Sequence, residues 1–147
     1  AGQVITRLTV SVVQTLILLV SGVVLLGIDV QGSYATLFLL AVIGGGLFIS
    51  MGYAVSGFAR SEESAGPITN LIAMPMMFLS GVFFSRDNLP AFLETVTEYF
   101  PLTYLADSMR EVTAKGSGLA DISGDLLGLG VWLIASFILA ARVFRWE

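Results

Sequence analysis

Long uncharged stretches separated by short polar breaks organise this chain. Residues 8–28 carry no charge between Arg7 and Asp29. As a helix rising about 1.5 Å per residue they cover about 31 Å, one hydrocarbon core. Asp29-Val-Gln-Gly-Ser33 is a polar turn, and residues 34–59 form a second uncharged stretch that Arg60 closes. So short a linker makes the two stretches antiparallel neighbours. Residues 60–67 are polar and turn-rich, with Pro67 placed for the first turn of the next helix, where its missing N–H is not needed. A third span is predicted over residues 68–84, with Pro75 near its middle freeing a carbonyl and kinking the helix. The fourth covers residues 126–144 if Arg142 snorkels to the surface.

Residues 85–125 are the one long polar region, and their periodicity predicts two short helices. Residues 91–100 place Phe92, Leu93, Val96, Tyr99 and Phe100 on one stripe with Glu94 and Glu98 opposite. Residues 102–114 repeat the pattern with Leu102, Leu105, Met109 and Val112. Both are too short to span, so they are expected to lie at the interface or to dip into it. The predicted fold is a single all-α membrane domain over residues 1–147. It has about four transmembrane helices and two short interfacial or re-entrant helices before the last span. A signal peptide is the competing reading of residues 8–28, but its apolar region would be only about 7–15 residues long.

Composition agrees with the pattern. The chain is 147 residues long, 56% hydrophobic and 12% charged, too few charges to make the polar shell of a soluble domain. There is no Cys and no His, which excludes disulfides, thiolate chemistry, zinc sites of the usual kinds and every His-dependent dyad or triad. The formal net charge of −4 argues against nucleic acid as a partner. Lys115-Gly116-Ser117 lacks the upstream glycine of a phosphate-binding loop. Any ATP and magnesium must therefore be bound elsewhere. No catalytic residue, metal ligand or cofactor is assigned to this chain.

An even number of spans puts both termini on one side, with Arg7, Arg60, Arg142 and Arg145; the other side carries Arg86, Arg110 and Lys115. Counting Lys and Arg alone favours a cytoplasmic C-terminus. Gly44, Gly45 and Gly46 lie mid-span, where small residues allow close helix packing or serve as a hinge. Helical arithmetic aligns Asn70, Met74, Met77, Phe78 and Gly81 on the third span, which also carries Pro75. A buried amide in lipid must find a partner, so this stripe either packs on another helix or faces a substrate path. Gln14 and Thr15 on the first span carry the same two readings. Arg60, Glu62 and Glu63 are either solvated charges near a helix start or contacts for a cytoplasmic partner. Asp107 and Arg110, three apart, can pair on a helix surface.

Several segments together resemble the permease subunits of ABC-2 type exporters. They are Gly57-Phe-Ala-Arg-Ser-Glu-Glu-Ser-Ala-Gly-Pro-Ile-Thr-Asn70, then Met74-Pro75 with Phe78-Leu-Ser-Gly-Val-Phe-Phe84. Asn88-Leu-Pro90 and Pro101-Leu-Thr-Tyr-Leu-Ala-Asp107 with Arg110 follow, and the chain ends Ala141-Arg-Val-Phe-Arg-Trp-Glu147. The resemblance implies a six-span permease that works as a homodimer or heterodimer with two ATP-hydrolysing subunits. It also implies an external or re-entrant hairpin before the last span, marked here by Pro101, Asp107 and Arg110. The chain is then expected to be the C-terminal part of such a permease, in the plasma membrane and in contact with its lipid. The expected activity is export of a drug-like or lipid-like substrate from the cytoplasm. Polysaccharide or glycolipid export is the alternative within the fold, and a non-transporting scaffold or a passive channel the alternative outside it.

Overall fold

The computed structural model describes residues 2–27, 29–59, 62–83 and 90–143. They form six helices: α1 (Gly2–Leu26), α2 (Tyr34–Phe58), α3 (Glu62–Leu79), α4 (Ala91–Glu98), α5 (Pro101–Lys115) and α6 (Ser123–Val143). No strand occurs among the described residues. The chain is an all-α, multi-pass membrane protein, as its pattern predicts. α1, α2 and α6 are long and apolar enough to cross a bilayer.

The span count differs from the expected four at α3. This helix starts at Glu62, inside the stretch read as a break, and ends at Leu79, well before Phe84. Pro67 is therefore not in the first turn but inside the helix. Its missing N–H withholds a bond from the Glu63 carbonyl one turn back, a cost the helix absorbs near its start. The far end is set by Gly81, whose φ of 82° is left-handed. The apolar part of α3, residues 68–79, covers about 18 Å, short of a hydrocarbon core of about 30 Å.

α2 is the centre of the bundle, packed against α6 most extensively and also against α1, α3 and α5. The core joins Leu37, Leu40 and Leu47 of α2 to Val112 of α5, Leu129 of α6 and Ile122 just before it. The outward faces are apolar: Leu25 and Leu127 are 78% and 72% exposed, with Leu18, Val24, Val131 and Phe137 similarly bare. In water such faces would aggregate, whereas apolar faces of this length suit a bilayer.

Of the two short helices, α5 lies alongside the long helices α2 and α6, not beyond their ends, an arrangement that fits the dip. α5 runs antiparallel to α2 and α6. Its C-terminal end meets the α1–α2 loop, where the Gln31 amide donates to the Thr113 carbonyl at 3.0 Å. Its middle reaches Leu105, which lies against Gly44 of α2. The turn between α4 and α5 lies beside Trp132, whose Nε1 donates to the Tyr99 carbonyl at 2.9 Å. Trp132 is nine residues into α6, about 14 Å along the axis, so the turn sits near half depth. The turn satisfies much of its own backbone, as a turn set within hydrocarbon must. Thr103 Oγ1 donates to the Thr97 carbonyl at 2.7 Å, and Thr97 Oγ1 to the Glu94 carbonyl at 2.9 Å. Pro101, at the first position of α5, has no N–H to satisfy.

Candidate functional site

The four side chains read as a path or a packing stripe lie on one side of α3. Asn70, Met74, Met77 and Phe78 are all exposed, and the Phe78 ring lies 6.0 Å from that of Phe83. The opposite side of α3 meets α2 through Met76, which is 9% exposed and lines a small cavity of about 190 Å³ with Phe48, Met51 and Ala73. The Met-rich side is thus turned outward from the bundle. Pro75 lies within the helix between these residues. Gly81 is not on the helical stripe: it sits beyond the end of α3, where only a residue tolerating positive φ avoids strain.

The three mid-span glycines face three different helices, because successive residues turn by about 100° on a helix. A Cβ on Gly44 would come within 2.6 Å of Leu105 on α5. One on Gly45 would stand 3.0 Å from Ser11 Oγ on α1, and one on Gly46 would be 3.8 Å from Leu133 on α6. Gly44 thus seats the re-entrant helix, and Gly45 seats α1.

At the mouth of the hairpin, Arg110 ties two elements together. One guanidinium nitrogen pairs with Asp107 at 3.2 Å, and the other donates to the Gly81 carbonyl at 3.0 Å. The predicted Asp107–Arg110 pair therefore forms, and the arginine also ties the turn that follows α3 to α5. Pro101 is remote from both, buried at the deep turn. The end of α5 is closed by Gly116, with φ 70° and its amide on the Glu111 carbonyl. Glu111 takes hydrogen bonds from Lys115 and from Ser117, the latter at 2.9 Å. These bonds, Lys115 first, hold its carboxyl below the usual glutamate range.

Of the candidate partner contacts, Arg60 lies outside the described residues. Glu62 opens α3, and Glu63 is exposed on its first turn.

Sequence reasoning missed a groove. Between α1, α2, α3 and α5 lies a cavity of about 540 Å³, lined by Arg7, Ser11 and Thr15 of α1, Tyr53 and Ser56 of α2 and Thr69 of α3, among others. The Arg7 guanidinium stands 5.9 Å from the centre of the Tyr53 ring, within cation–π range. In the sequence Arg7 marks a boundary and counts toward the orientation, with no site assigned to it. The overlooked signal was the spacing of four from Arg7 to Ser11 to Thr15, which puts a cation and two hydroxyls on one face. Among the described residues no group of acidic side chains could hold a metal ion.

Residues 1–113 match the family model described as ABC-2 type transporter. Nodulation protein J of Rhizobium leguminosarum bv. viciae is 29% identical over 113 residues, 76% of this chain and 43% of its own length. The linearmycin resistance permease protein LnrN of Bacillus subtilis is 30% identical over 129 residues, 84% of this chain and 32% of its own. The probable multidrug ABC transporter permease YbhR of Escherichia coli is 25% identical over 144 residues, 98% of this chain and 39% of its own. The chain thus spans less than half the length of these curated relatives. No solved structure matches it.

Proposed function

The chain belongs to the ABC-2 type transporter family, and from that premise we propose that it is part of the permease of an ATP-driven exporter of drug-like or lipid-like molecules. The family match over residues 1–113 carries this reading. The resistance and multidrug permeases among the relatives support the substrate class.

ATP is bound and hydrolysed by a separate ABC ATPase subunit, and a pair of permeases forms the path. The spanning helices do no covalent chemistry. Hydrolysis in the partner switches the pair between inward-open and outward-open states. Direction follows from a difference in substrate affinity between those states, since a ligand shifts only equilibria whose ends it binds unequally. The exposed side of α3, with Asn70, Met74, Met77 and Phe78, supplies flexible thioethers, a ring and an amide to the path, a surface able to accept several apolar ligands. Pro75 breaks the hydrogen-bond ladder within this helix, where bending is easiest. Glu63, with Arg60 and Glu62 just before it in the sequence, is assigned to the contact with the ATPase at the cytoplasmic surface. The C-terminus lies on that same side, and the α4–α5 hairpin opens outward.

The test is reconstitution. The permease and the ATPase encoded beside it are placed in proteoliposomes, and ATP-dependent movement of a fluorescent apolar drug is followed. Transport that needs both subunits is the expected result. The permease alone should hydrolyse no ATP. A permease with no ATPase partner, or one hydrolysing ATP by itself, overturns the reading.

A further inference from the structure

We infer that the groove beside Arg7 is a binding site for an anionic amphiphile, a molecule with a phosphate or carboxylate head and an acyl or similarly apolar body. The inference does not depend on the transport reading, because it uses only the groove.

The groove is graded along its length. Its lining runs from the level of Ser56 to that of Ala41, fifteen residues of α2 or about 22 Å. Near the Tyr53 end stands Arg7, among the described residues the one charged side chain of the lining. At the other end Leu105 and Met109 of α5 offer apolar contact. The threonine hydroxyls do not compete for a ligand: Thr15 Oγ1 donates to the Ser11 carbonyl at 2.9 Å, and Thr69 Oγ1 to the Ala65 carbonyl at 2.8 Å. The hydroxyls of Ser11, Tyr53 and Ser56 are neutral, so among the described residues the attraction for an anion is concentrated at the guanidinium.

That guanidinium is suited to an anion. Among the described residues it makes no ion pair; the pairs that form are Arg110 with Asp107 and Lys115 with Glu111. Its contact is with the Tyr53 ring, which leaves N–H groups available to grip two oxygens at once. Tyr53 stands five residues before the end of α2, about 8 Å inside the helix terminus, the depth of a lipid headgroup and its first acyl carbons. The cavity volume of about 540 Å³ lies in the range of small-ligand sites, about 300–1,000 Å³. A bilayer phospholipid and a free amphiphilic anion share this chemistry.

The permease is reconstituted in phosphatidylcholine nanodiscs and labelled with a photoactivatable phosphatidylglycerol, a photoactivatable phosphatidylcholine or a photoactivatable fatty acid. Labelled residues are located by peptide mass. Phosphatidylglycerol labelling near Ser11 and Ser56, displaced by unlabelled phosphatidylglycerol and not by phosphatidylcholine, is expected. Labelling by the fatty acid alone supports the same site with a free amphiphile as its occupant. Arg7→Gln should cut labelling roughly ten-fold, and Arg7→Lys, which keeps the charge without the fork, should cut it less. Gly52→Leu should block all anionic probes while leaving the fold intact, since a Cβ there meets nothing within 4 Å. Equal labelling by the phosphatidylcholine probe, or labelling indifferent to Arg7→Gln, overturns the inference. So does a groove closed to every probe in which Ser56→Cys also resists maleimide, because another transmembrane helix then fills it.

Discussion

Replacing Trp132 with Phe removes a single hydrogen bond and tests how deep the hairpin reaches. The indole Nε1 is the donor to the Tyr99 carbonyl at 2.9 Å, and Phe leaves that carbonyl without it. Tyr99 is 64% exposed, so the cost depends on what it is exposed to. In water a solvent molecule replaces the indole and almost nothing is lost. In hydrocarbon the carbonyl stays bare, which costs about 1–3 kcal/mol in protein interiors, whereas interhelical hydrogen bonds in membranes average about 0.6 and reach about 1.7. Trimming a half-buried indole to a phenyl ring adds about 0.5 kcal/mol of lost apolar contact. The expected total is about 1–2 kcal/mol. It is measurable as a shift in equilibrium unfolding by dodecyl sulfate in mixed micelles. Phe137→Leu, at an outward-facing position of the same helix, is the control and should move the transition little. Amide exchange at Phe100 and Thr103 should quicken in the Trp132 variant alone. A loss below about 0.3 kcal/mol, or one equal to the control, refutes a tip at half depth.

Four further outcomes are expected. In the path reading, Met77→Ala or Phe78→Ala changes which compounds the reconstituted exporter moves, several-fold in apparent affinity for a contact of about 1 kcal/mol, while Met76→Leu on the buried side changes little; Asn70→Leu should affect polar substrates most, and uniform losses with lower folded yield would favour packing. Because the chain has no cysteine, Lys115→Cys should react with an impermeant maleimide on intact cells and Glu63→Cys only after lysis; the reverse pattern refutes the orientation. Gly44→Ala forces its new methyl towards Leu105 and should destabilise the fold by about 1–3 kcal/mol, with Leu105→Ala in the same chain restoring part of the loss, as a double-mutant cycle in detergent would measure. Glu111 has a lowered pKa, so its small contribution is present above the unfolded glutamate pKa and lost as pH falls through the folded value; Lys115→Ala should flatten that acid dependence in a thermal melt.

Most of the fold was legible because bilayer thickness is a hard constraint. Helices α1, α2 and α6 announce themselves by length and lack of charge, and the stripes of α4 and α5 by period. The limits of α3 were not. Glu62 and Glu63 read as a break, though a proline five residues further on removes just one bond near the start of a helix. At the other end Val82 and Phe83 continue the apolar run, while Gly81 quietly ends the helix. The hairpin's depth was ambiguous because a stripe says which face is apolar, not what covers it. The pairing of Asp107 with Arg110 followed from local spacing, whereas the bond to Gly81 joins residues 29 apart in the chain. The groove was invisible for the same reason. It exists only where four helices meet, and no window along the sequence contains them.

The central position of α2 has a consequence for synthesis. Its most extensive partner is α6, and 64 residues separate Phe58 from Ser123. At about 5–20 residues per second, α2 enters the membrane roughly 3–13 seconds before the surface that completes its core has been made. During that wait Leu37, Leu40 and Leu47 face lipid or the insertion machinery, a tolerable state since their neighbours in either case are apolar. The final packing is therefore a late event governed by the last helix. A ribosome that stops after residue 113, where the family match ends, leaves α2 inserted but without Ile122 and Leu129 to close its core. Such a product should be recognised by quality-control proteases as an orphan long before any question of transport arises.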